Sequence, residues 1–294
     1  MVNARKSFIY AALAILFWST IPTAFKLSLA ELGILPVLTI ASVTSTLALL
    51  LIIILTGKRR LLVTSASARE LGSSALLGLI NPFIYYIILL RAYQLLPAQI
   101  AQPLNMIWPI VFVFLSVPFL GQKVPGRSYL ALLISFAGVY IIASQGNLFS
   151  TGHADPKGVM LAAGSSVFWA LYFILNTKSS QDEAVRLFYN FAAGSLYLIT
   201  ALAVTGSWPE TISIKGFLTS VHIGLFEMGI TFFLWLRALR LAPAADKISN
   251  LVYLTPFLSL IFVHFILHEP VYITTPAGLL LIITGIVIQS RKVR

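Results

Sequence analysis

The stretch Arg91–Ala98 reads RAYQLLPA, and 146 residues later the stretch Arg237–Ala244 reads RALRLAPA. Both stretches lie between two apolar runs of the chain. Self-similarity at a fixed interval is the sequence signature of a duplicated structural unit. The chain is therefore predicted to consist of two related halves, residues 1–150 and residues 151–294.

Further matches in the same order extend this repeat along the chain. Each match is short, but all of them keep an interval of 146 to 151 residues. In order, they align the first five apolar runs with the last five. The matched pairs are Phe17-Trp18 with Phe168-Trp169, Trp108-Pro109 with Thr255-Pro256, Gly121-Gln122 with His268-Glu269, and Gly138 with Gly285.

The composition predicts an integral membrane protein. Hydrophobic residues make up 59% of the 294 residues and charged residues 10%, whereas a soluble domain has about 25% charged residues. A helix needs about 20 apolar residues to cross a hydrocarbon core of about 30 Å. Prolines inside such runs are expected to kink the helices without dividing them. We predict ten spans, at residues 7–29, 34–56, 71–93, 97–120, 126–144, 157–176, 184–205, 215–237, 243–267 and 272–290.

The basic residues are distributed unevenly between the two sides of the predicted membrane. With the N-terminus in the cytoplasm, 16 of the 20 Lys and Arg residues face the cytoplasm, as the positive-inside rule requires. Both termini are therefore predicted to be cytoplasmic. The charge of +11 then reflects topology, and no nucleic-acid partner is expected, because neither a soluble domain nor a basic tract with aromatics is present to bind one. The four basic residues on the other side are Lys26, Arg91, Lys157 and Lys215.

An odd number of spans in each half makes the two halves cross the membrane in opposite directions. The predicted fold is therefore all-α and integral to the membrane, with ten transmembrane helices in two inverted five-helix repeats. Inverted repeats are typical of secondary transporters, which expose a site between related halves alternately to the two sides. A gene duplication without mechanistic consequence is the alternative interpretation.

Polar side chains at mid-span depth are candidates for substrate binding, because a charge placed there is costly in free energy. Glu227 lies near the middle of the eighth span, and the interval of 146 residues relates it to Asn81 in the third. In a carrier, Glu227 would attract an ammonium group or take up a coupled proton; the alternative is a protonated carboxyl hydrogen-bonded between helices. Tyr85 lies one turn beyond Asn81 on the same face, and helix packing is the alternative role for Asn81.

Amides and aromatic side chains recur at three- and four-residue intervals on the fourth and sixth spans, which places them on one face of each helix. Trp18 and Trp169 lie near mid-depth, where an interfacial aromatic belt does not form. Aromatic rings in a cavity suit a flat or apolar side chain. An interfacial anchor is the alternative role for each ring. The residues predicted to line the cavity are Trp18, Gln102, Asn105, Trp108, Trp169, Tyr172, Asn176 and Tyr253, with Asn81, Tyr85 and Glu227.

Neither a metal site nor an enzymatic site is predicted. His264 and His268 have a metal-compatible spacing, but no third ligand recurs nearby, so helix packing is expected. The absence of cysteines excludes thiolate sites and iron–sulfur clusters. An intramembrane enzyme needs a nucleophile with a base or clustered carboxylates, and the sequence places Glu227 alone among acids near mid-span. We therefore predict no cofactor, no metal and no catalytic activity.

Several of these features together resemble a known family. They are the two five-helix halves, Phe-Trp in the first helix of each half, R-A-x-x-x-x-P-A before the fourth helix, and G-Q or H-E after it. The chain is similar to the drug/metabolite transporter superfamily and, within it, to the EamA-type carriers; among these it most resembles YddG-type aromatic amino-acid exporters. The family often has Gly-Glu after the fourth helix. Gly121-Gln122 departs from this pattern, so a role for an acid there is not carried over to the first half.

The resemblance implies a secondary transporter of the bacterial inner membrane that exports amino acids, aromatic or neutral ones in particular. It implies alternating access without ATP hydrolysis, through a midplane cavity between the repeats that helices 1–4 and 6–9 line. Export of drugs or other small metabolites by the same fold is the alternative. The expected partners are the transported small molecule and membrane lipids.

Overall fold

The computed structural model describes residues 3–121, 126–146, 154–177, 181–241 and 250–290. Within these ranges, eight helices are long and apolar enough to cross a membrane, and two shorter apolar helices complete the set. These ten helices coincide with the ten predicted spans, so the prediction of an all-helical membrane fold is confirmed. Outside the described residues lie the start of the ninth span and Gln122, Lys123, Lys178, Pro243, Ala244, Lys247, Arg291, Lys292 and Arg294.

Some spans are single helices and others are built from two segments. Residues Leu79–Ile84 form a π-helical turn inside the third span, and Asn250–Leu254 form a 3₁₀ turn in the ninth. The helices are α1 (Ala4–Glu31), α2 (Ile34–Leu55), a short α3 (Arg59–Thr64), α4 (Ala68–Gly78), α5 (Tyr85–Leu95), α6 (Ala98–Asn105), α7 (Trp108–Leu120), α8 (Gly126–Ala143), α9 (Pro156–Thr177), α10 (Glu183–Thr205), α11 (Ile214–Phe226), α12 (Ile230–Leu241), α13 (Thr255–Leu267) and α14 (Thr274–Ser290).

Side-chain caps determine where several spans begin. The side chains of Asn3, Ser67, Asp182 and Ser213 accept hydrogen bonds from backbone N–H groups in the first turns of α1, α4, α10 and α11. Because the first four N–H groups of a helix have no partner within it, each cap satisfies a donor at the end of a span. The polar breaks in the sequence therefore correspond to physical helix ends.

The helices pack into two compact units, and each unit contains helices from both predicted halves. The first unit comprises Met1–Ile87 and Ser180–Phe262, and the second unit comprises Ile88–Ser179 and Val263–Arg294. Self-similarity divides the chain in sequence order, whereas packing joins helices that are distant along the chain. The halves and the units are therefore two different divisions of the same molecule.

In the first unit, α2 packs against α10 and α11, and α1 packs against α11 and α12. Glycines permit the close approach of these backbones. A Cβ on Gly224 would clash with the carbonyl oxygen of Ala41, and a Cβ on Gly78 would clash with the carbonyl oxygen of Asn190. Gly78 and Gly224 are 146 residues apart, and Ala41 and Asn190 are 149 residues apart. The same contact therefore occurs twice, once in each direction between the predicted halves.

In the second unit, α8 packs against α14 with the same reciprocity. Gly278 lies beside Gly138 and Ile142, whereas Gly285, seven residues later, lies beside Ala131. Because the partner in α8 moves to lower numbers as α14 moves to higher ones, the two helices run antiparallel. Gly138 and Gly285 are 147 residues apart, and so are Ala131 and Gly278. The contacts Gly138–Gly278 and Gly285–Ala131 are thus equivalent under the repeat.

Reciprocal contacts are what a two-fold relation generates, because residue i of one half then contacts residue j of the other, and the reverse. The antiparallel pairing of the fifth and tenth spans agrees with opposite directions for the two halves. These observations support our proposal that residues 1–150 and 151–294 are inverted repeats.

Replacing Gly138 with alanine should destabilise the protein by about 1–3 kcal/mol, because overpacking forces the backbones apart. The added Cβ would lie 2.5 Å from the carbonyl oxygen of Gly278. Thermal unfolding of the purified protein in detergent measures the change. Gly164→Ala in α9 is the matched control, since no heavy atom outside its own helix and neighbours lies within 4 Å of a Cβ there. Equal melting temperatures for the two variants would contradict the close contact.

Inverted halves place equivalent loops on opposite sides of the membrane. Ala66 is exposed between the second and third spans, and Ser207 is exposed between the seventh and eighth. The chain has no cysteines, so Ala66→Cys and Ser207→Cys each introduce a single thiol. We expect a membrane-impermeant maleimide to label Ser207→Cys in intact cells and Ala66→Cys only after permeabilisation. Labelling of both variants from one side would refute the inversion.

Candidate functional site

Two spans that the repeat relates are interrupted near their middle at the residues predicted to bind substrate. In the third span, Asn81 has an extended conformation, with φ −146° and ψ 119°, inside the π-helical turn. In the eighth span, α11 ends at Phe226 and α12 begins at Ile230, so Glu227 lies in the break. Asn81 and Glu227 are 146 residues apart. The two interruptions are therefore equivalent positions of the repeat.

The fourth and ninth spans are interrupted in the same way. In the fourth span, α6 ends at Asn105 and α7 begins at Trp108; in the ninth, the 3₁₀ turn that contains Tyr253 leads into α13 at Thr255. Trp108 and Thr255 are 147 residues apart. Discontinuous helices in transporters expose backbone carbonyl and N–H groups that bind substrate and coupling ions. The third and fourth spans nevertheless each remain one membrane-spanning run, Ala68–Leu95 and Ala98–Leu120, as expected for prolines that kink a helix without dividing it.

Glu227 is held by a tyrosine from the third span. Its Oε1 accepts a hydrogen bond from the hydroxyl of Tyr86 at 3.1 Å. Tyr86 is fully buried, and its ring lies edge-to-face against those of Tyr85 and Phe25, with centroid distances of 4.6 and 6.2 Å. Glu227 itself is partly exposed. The ring contacts position the hydroxyl, and the hydroxyl positions the carboxyl.

Sequence reasoning selected Tyr85 and missed Tyr86. Successive side chains of an α-helix point about 100° apart. The sequence does not show how far the third span is rotated about its own axis relative to the eighth, so it does not show which of the two tyrosines faces Glu227. The π-helical turn before Tyr85 shifts the register further. The contact with Glu227, 141 residues away, identifies Tyr86 as the residue that reaches the carboxyl.

Asn81 is almost completely buried, with 1% of its surface exposed. Its side-chain oxygen accepts no hydrogen bond from any residue that the structure describes. A buried acceptor without a donor costs about 1–3 kcal/mol, and such groups need a physical explanation. Asn81 is therefore either a site of stored strain or an acceptor for a donor that is not part of the described chain.

Trp18 belongs to an aromatic cluster between the first and eighth spans. Its ring lies edge-to-face against Phe232 and also contacts Trp235, each at a centroid distance of 5.6 Å. Trp18 is partly exposed. The ring of Trp18 therefore lies beside α12, the helix that follows the break at Glu227.

A histidine that the sequence pattern did not reveal lies on the other side of this break. The Oγ1 atom of Thr20 and the Nε2 atom of His222 are 2.8 Å apart. One turn later, the ring of Phe226 lies 4.7 Å from His222 and 4.4 Å from Phe17. A single histidine within an apolar run has no spacing that would mark it. His222 lies five residues before Glu227 on the same span, which is about 1.4 helical turns.

In the second unit, the predicted rings of the fourth and sixth spans come together. Trp108 and Trp169 lie edge-to-face at 6.4 Å, and Trp169 lies 6.2 Å from Tyr172. Phe173, which was not predicted, is 5.7 Å from Trp108. These rings form a continuous aromatic cluster, defined here by Trp108, Trp169, Tyr172 and Phe173.

The amides near this aromatic cluster have different partners. Asn105 donates from Nδ2 to the hydroxyl of Ser165 at 2.7 Å, which joins the break in the fourth span to the sixth span. Asn176 donates to the backbone carbonyl of Tyr172 within its own helix at 2.9 Å. Gln102 is partly exposed one turn before Asn105. Among the three predicted amides, Asn105 is therefore the one that lies at a helix break and bonds to a side chain of another span.

The acid of the His268-Glu269 pair has a structural contact. Glu269 Oε1 accepts a hydrogen bond from the backbone N–H of Ala98 at 3.2 Å, at the first residue of α6. Gln99 donates to the carbonyl of Pro270 and accepts from Thr275 at 3.1 Å. A carboxylate at a helix N-terminus is favourable both as a cap and through the helix dipole. Within the described ranges, no group of three His, Asp or Glu residues is placed to hold a metal ion.

The chain matches known proteins over most of its length. The model of the EamA-like transporter family matches residues 5–144 and 156–291. The chain is 29% identical over 224 residues to the "Uncharacterized transporter YvbV" of Bacillus subtilis (strain 168), covering 73% of this chain and 70% of that protein. It is 23% identical over 233 residues to the "Aromatic amino acid exporter YddG" of Ancylobacter novellus, covering 76% and 75% of the two chains. A solved crystal structure of a protein with 18% identity aligns with a TM-score of 0.66 over 98% of this chain and 97% of that one, which is a likeness of fold.

Proposed function

Because the chain belongs to the EamA-like transporter family of secondary transporters, we propose that it exports amino acids, aromatic or neutral ones in particular, across a bacterial inner membrane. The proposed mechanism is alternating access of a midplane cavity between the two repeats. The observation that carries the proposal is the carboxyl of Glu227 at the break of the eighth span, hydrogen-bonded to Tyr86.

Glu227 suits the ammonium group of an amino acid. A charged side chain at the centre of a span costs about 2.5–3.5 kcal/mol on the insertion scale, so a carboxylate there requires compensation. The Tyr86 hydroxyl supplies one hydrogen bond, and a substrate ammonium would supply the opposite charge. Glu227 also lies at a helix break, and such breaks in transporters present backbone carbonyls that accept N–H donors.

The acceptor of Asn81 supports the same assignment. Its buried oxygen accepts no hydrogen bond from the described residues, and the repeat relates it to Glu227. An ammonium group donates three hydrogen bonds and has no acceptor. Two equivalent acceptors at interrupted helices are therefore the kind of groups that such a substrate requires.

The aromatic cluster of the second unit supports a preference for aromatic side chains. Trp108, Trp169 and Tyr172 meet edge-to-face or tilted, and each further ring in such an arrangement adds about 0.5–1.5 kcal/mol beyond its area burial. One relative, the protein of Ancylobacter novellus, is named an aromatic amino acid exporter.

A second candidate is export of amphipathic cations, including drugs and other small metabolites. A carboxylate and aromatic rings also recognise such molecules, through charge pairing and cation–π contacts. The two candidates differ in whether a substrate carboxylate is required. Transport of an amino acid and of its methyl ester therefore separates them.

Glu227→Gln should lower amino-acid uptake at subsaturating substrate by at least about tenfold, because a charge-assisted hydrogen bond contributes about 1.5–3 kcal/mol. Uptake of a labelled amino-acid panel by proteoliposomes, with and without a pH gradient, measures the effect. Glu31→Gln is the matched control, because it makes the same chemical change at the end of α1, where Glu31 pairs with Lys215 at 3.2 Å. We expect this control to transport at the wild-type rate.

Three outcomes would count against these assignments. If wild-type protein moves no amino acid of the panel, the amino-acid proposal is wrong. If it moves methyl esters in preference to the free amino acids, the second candidate replaces it. If Glu227→Gln and Glu31→Gln transport equally at every pH, Glu227 does not recognise the substrate.

Trp169→Leu should raise the KM for aromatic substrates relative to aliphatic ones by about two- to tenfold, since one ring contact contributes about 0.5–1.5 kcal/mol. Competition of unlabelled phenylalanine and valine against a labelled substrate measures the ratio. Trp208→Leu is the matched control, because Trp208 is 59% exposed beyond the end of α10. An unchanged KM ratio in Trp169→Leu would show that the aromatic cluster of the second unit does not contribute to a preference for aromatic substrates.

A further inference from the structure

The second span is followed at once by the short helix α3 (Arg59–Thr64). After α2 ends, Gly57 has a left-handed conformation, with φ 72°, and the backbone N–H of Lys58 bonds to the carbonyl of Ile53 at 2.9 Å. This pair of features is typical of a glycine that ends a helix and turns the chain. Because α3 begins two residues after Gly57, it lies at the level of the lipid headgroups, on the side predicted to be cytoplasmic.

Hydrogen bonds hold α3 against the start of the seventh span. The hydroxyl of Tyr189 donates to the backbone carbonyl of Leu62, and Gln181 donates from Nε2 to the carbonyl of Ser65 at 2.9 Å. Tyr189 belongs to the second turn of α10. The short helix α3 is therefore fixed beside the first two turns of a membrane span and does not project away from the membrane.

The two arginines that begin α3 carry positive charge that no acid balances. The preceding Lys58 forms an ion pair with Asp182. Arg59 and Arg60 are both exposed, and neither pairs with an acid within the ranges that the structure describes. A guanidinium holds its N–H donors in a planar fork that matches a phosphate group. Both forks are therefore available to a ligand with a negative charge.

Exposed apolar side chains accompany these arginines. Val63 is 81% exposed and Leu61 is 36% exposed, whereas Leu62, whose carbonyl bonds to α10, is partly buried. Arg59 and Val63 are four residues apart, so they are neighbours on one face of the helix. At the boundary of headgroups and acyl chains, an arginine extends its charged end to the phosphates while apolar groups contact the chains. The exposed face of α3 combines these two kinds of group.

We propose that the exposed face of α3 binds anionic phospholipid of the phosphatidylglycerol class. Arg59 and Arg60 bind the phosphate diester, and Leu61 and Val63 insert beside the first part of the acyl chains. Charge complementarity identifies this ligand, because basic residues beside a span attract anionic lipid, whereas the ammonium of a zwitterionic lipid cancels the attraction. The site binds a membrane component and does not depend on which solute the protein transports.

Native mass spectrometry of the full chain, delipidated in detergent and titrated with dioleoyl phosphatidylglycerol or dioleoyl phosphatidylcholine, tests the proposal. The wild type should bind phosphatidylglycerol more tightly. The double variant Arg59→Gln/Arg60→Gln should lose about tenfold or more of this affinity, since each basic residue near an anionic surface contributes about fivefold. The matched control is Arg5→Gln/Lys6→Gln, which removes the same charge from the exposed start of α1 on the same predicted side and should bind like the wild type.

A fluorescent probe on α3 tests insertion with both arginines in place. The chain has no cysteines, so Val63→Cys accepts one environment-sensitive fluorophore, and Ala66→Cys, exposed beyond the end of α3, is the matched control. In nanodiscs that contain phosphatidylglycerol, the probe at position 63 should emit at shorter wavelength than in phosphatidylcholine alone, and the probe at position 66 should not change.

Three results would each overturn the proposal. The first is equal affinity of the wild type for the two lipids, and the second is an equal loss of phosphatidylglycerol affinity in the two double variants. The third is emission from position 63 that is the same in both kinds of nanodisc. Size-exclusion chromatography of each variant verifies that it is folded.

Discussion

Hydrocarbon offers no hydrogen-bond partner to the backbone, and the rest of this structure depends on that constraint. Spans crossing the membrane must satisfy their own N–H and C=O groups, so they are helices. Four of the spans that the structure describes depart from regular α-helix near their middle, at Asn81, Asn105, Glu227 and the 3₁₀ turn before Thr255. Irregular backbone at that depth is tolerated where it is enclosed by protein or lines a cavity. Four of the candidates for substrate binding, Asn81, Asn105, Glu227 and Tyr253, lie at these places.

In lipid, the hydrophobic effect does not hold helices together. Van der Waals contact between closely packed backbones takes its place, and small residues permit that contact. Gly78 and Gly224 in the first unit, and Gly138 and Gly285 in the second, each occupy a position where a Cβ would clash with a neighbouring carbonyl. These contacts occur in reciprocal pairs. A duplicated sequence can thus stabilise two compact units that each draw helices from both halves.

Two chemical environments follow from this packing. The first unit holds a carboxyl, its tyrosine donor and a buried amide at broken helices, and the second unit holds an aromatic cluster beside a broken helix. The carboxyl of Glu269 has a different role, because it accepts a hydrogen bond from the first backbone N–H of α6. A carboxylate in a family motif is therefore not by itself evidence of a substrate site. Its depth and its partner decide its role.

The linear sequence by itself determined the ten spans, the interval of the repeat and the mid-span position of Glu227, because run length, spacing and charge are properties read along the chain. The tertiary structure alone decided which helices share a unit, where the helices break and that Tyr86, not Tyr85, donates to Glu227. The contacts Tyr86–Glu227 and Thr20–His222 join residues 141 and 202 positions apart. Such contacts depend on the rotation and crossing of packed helices, and a periodic apolar pattern contains no information on either when lipid and protein surround the helix with equally apolar surfaces.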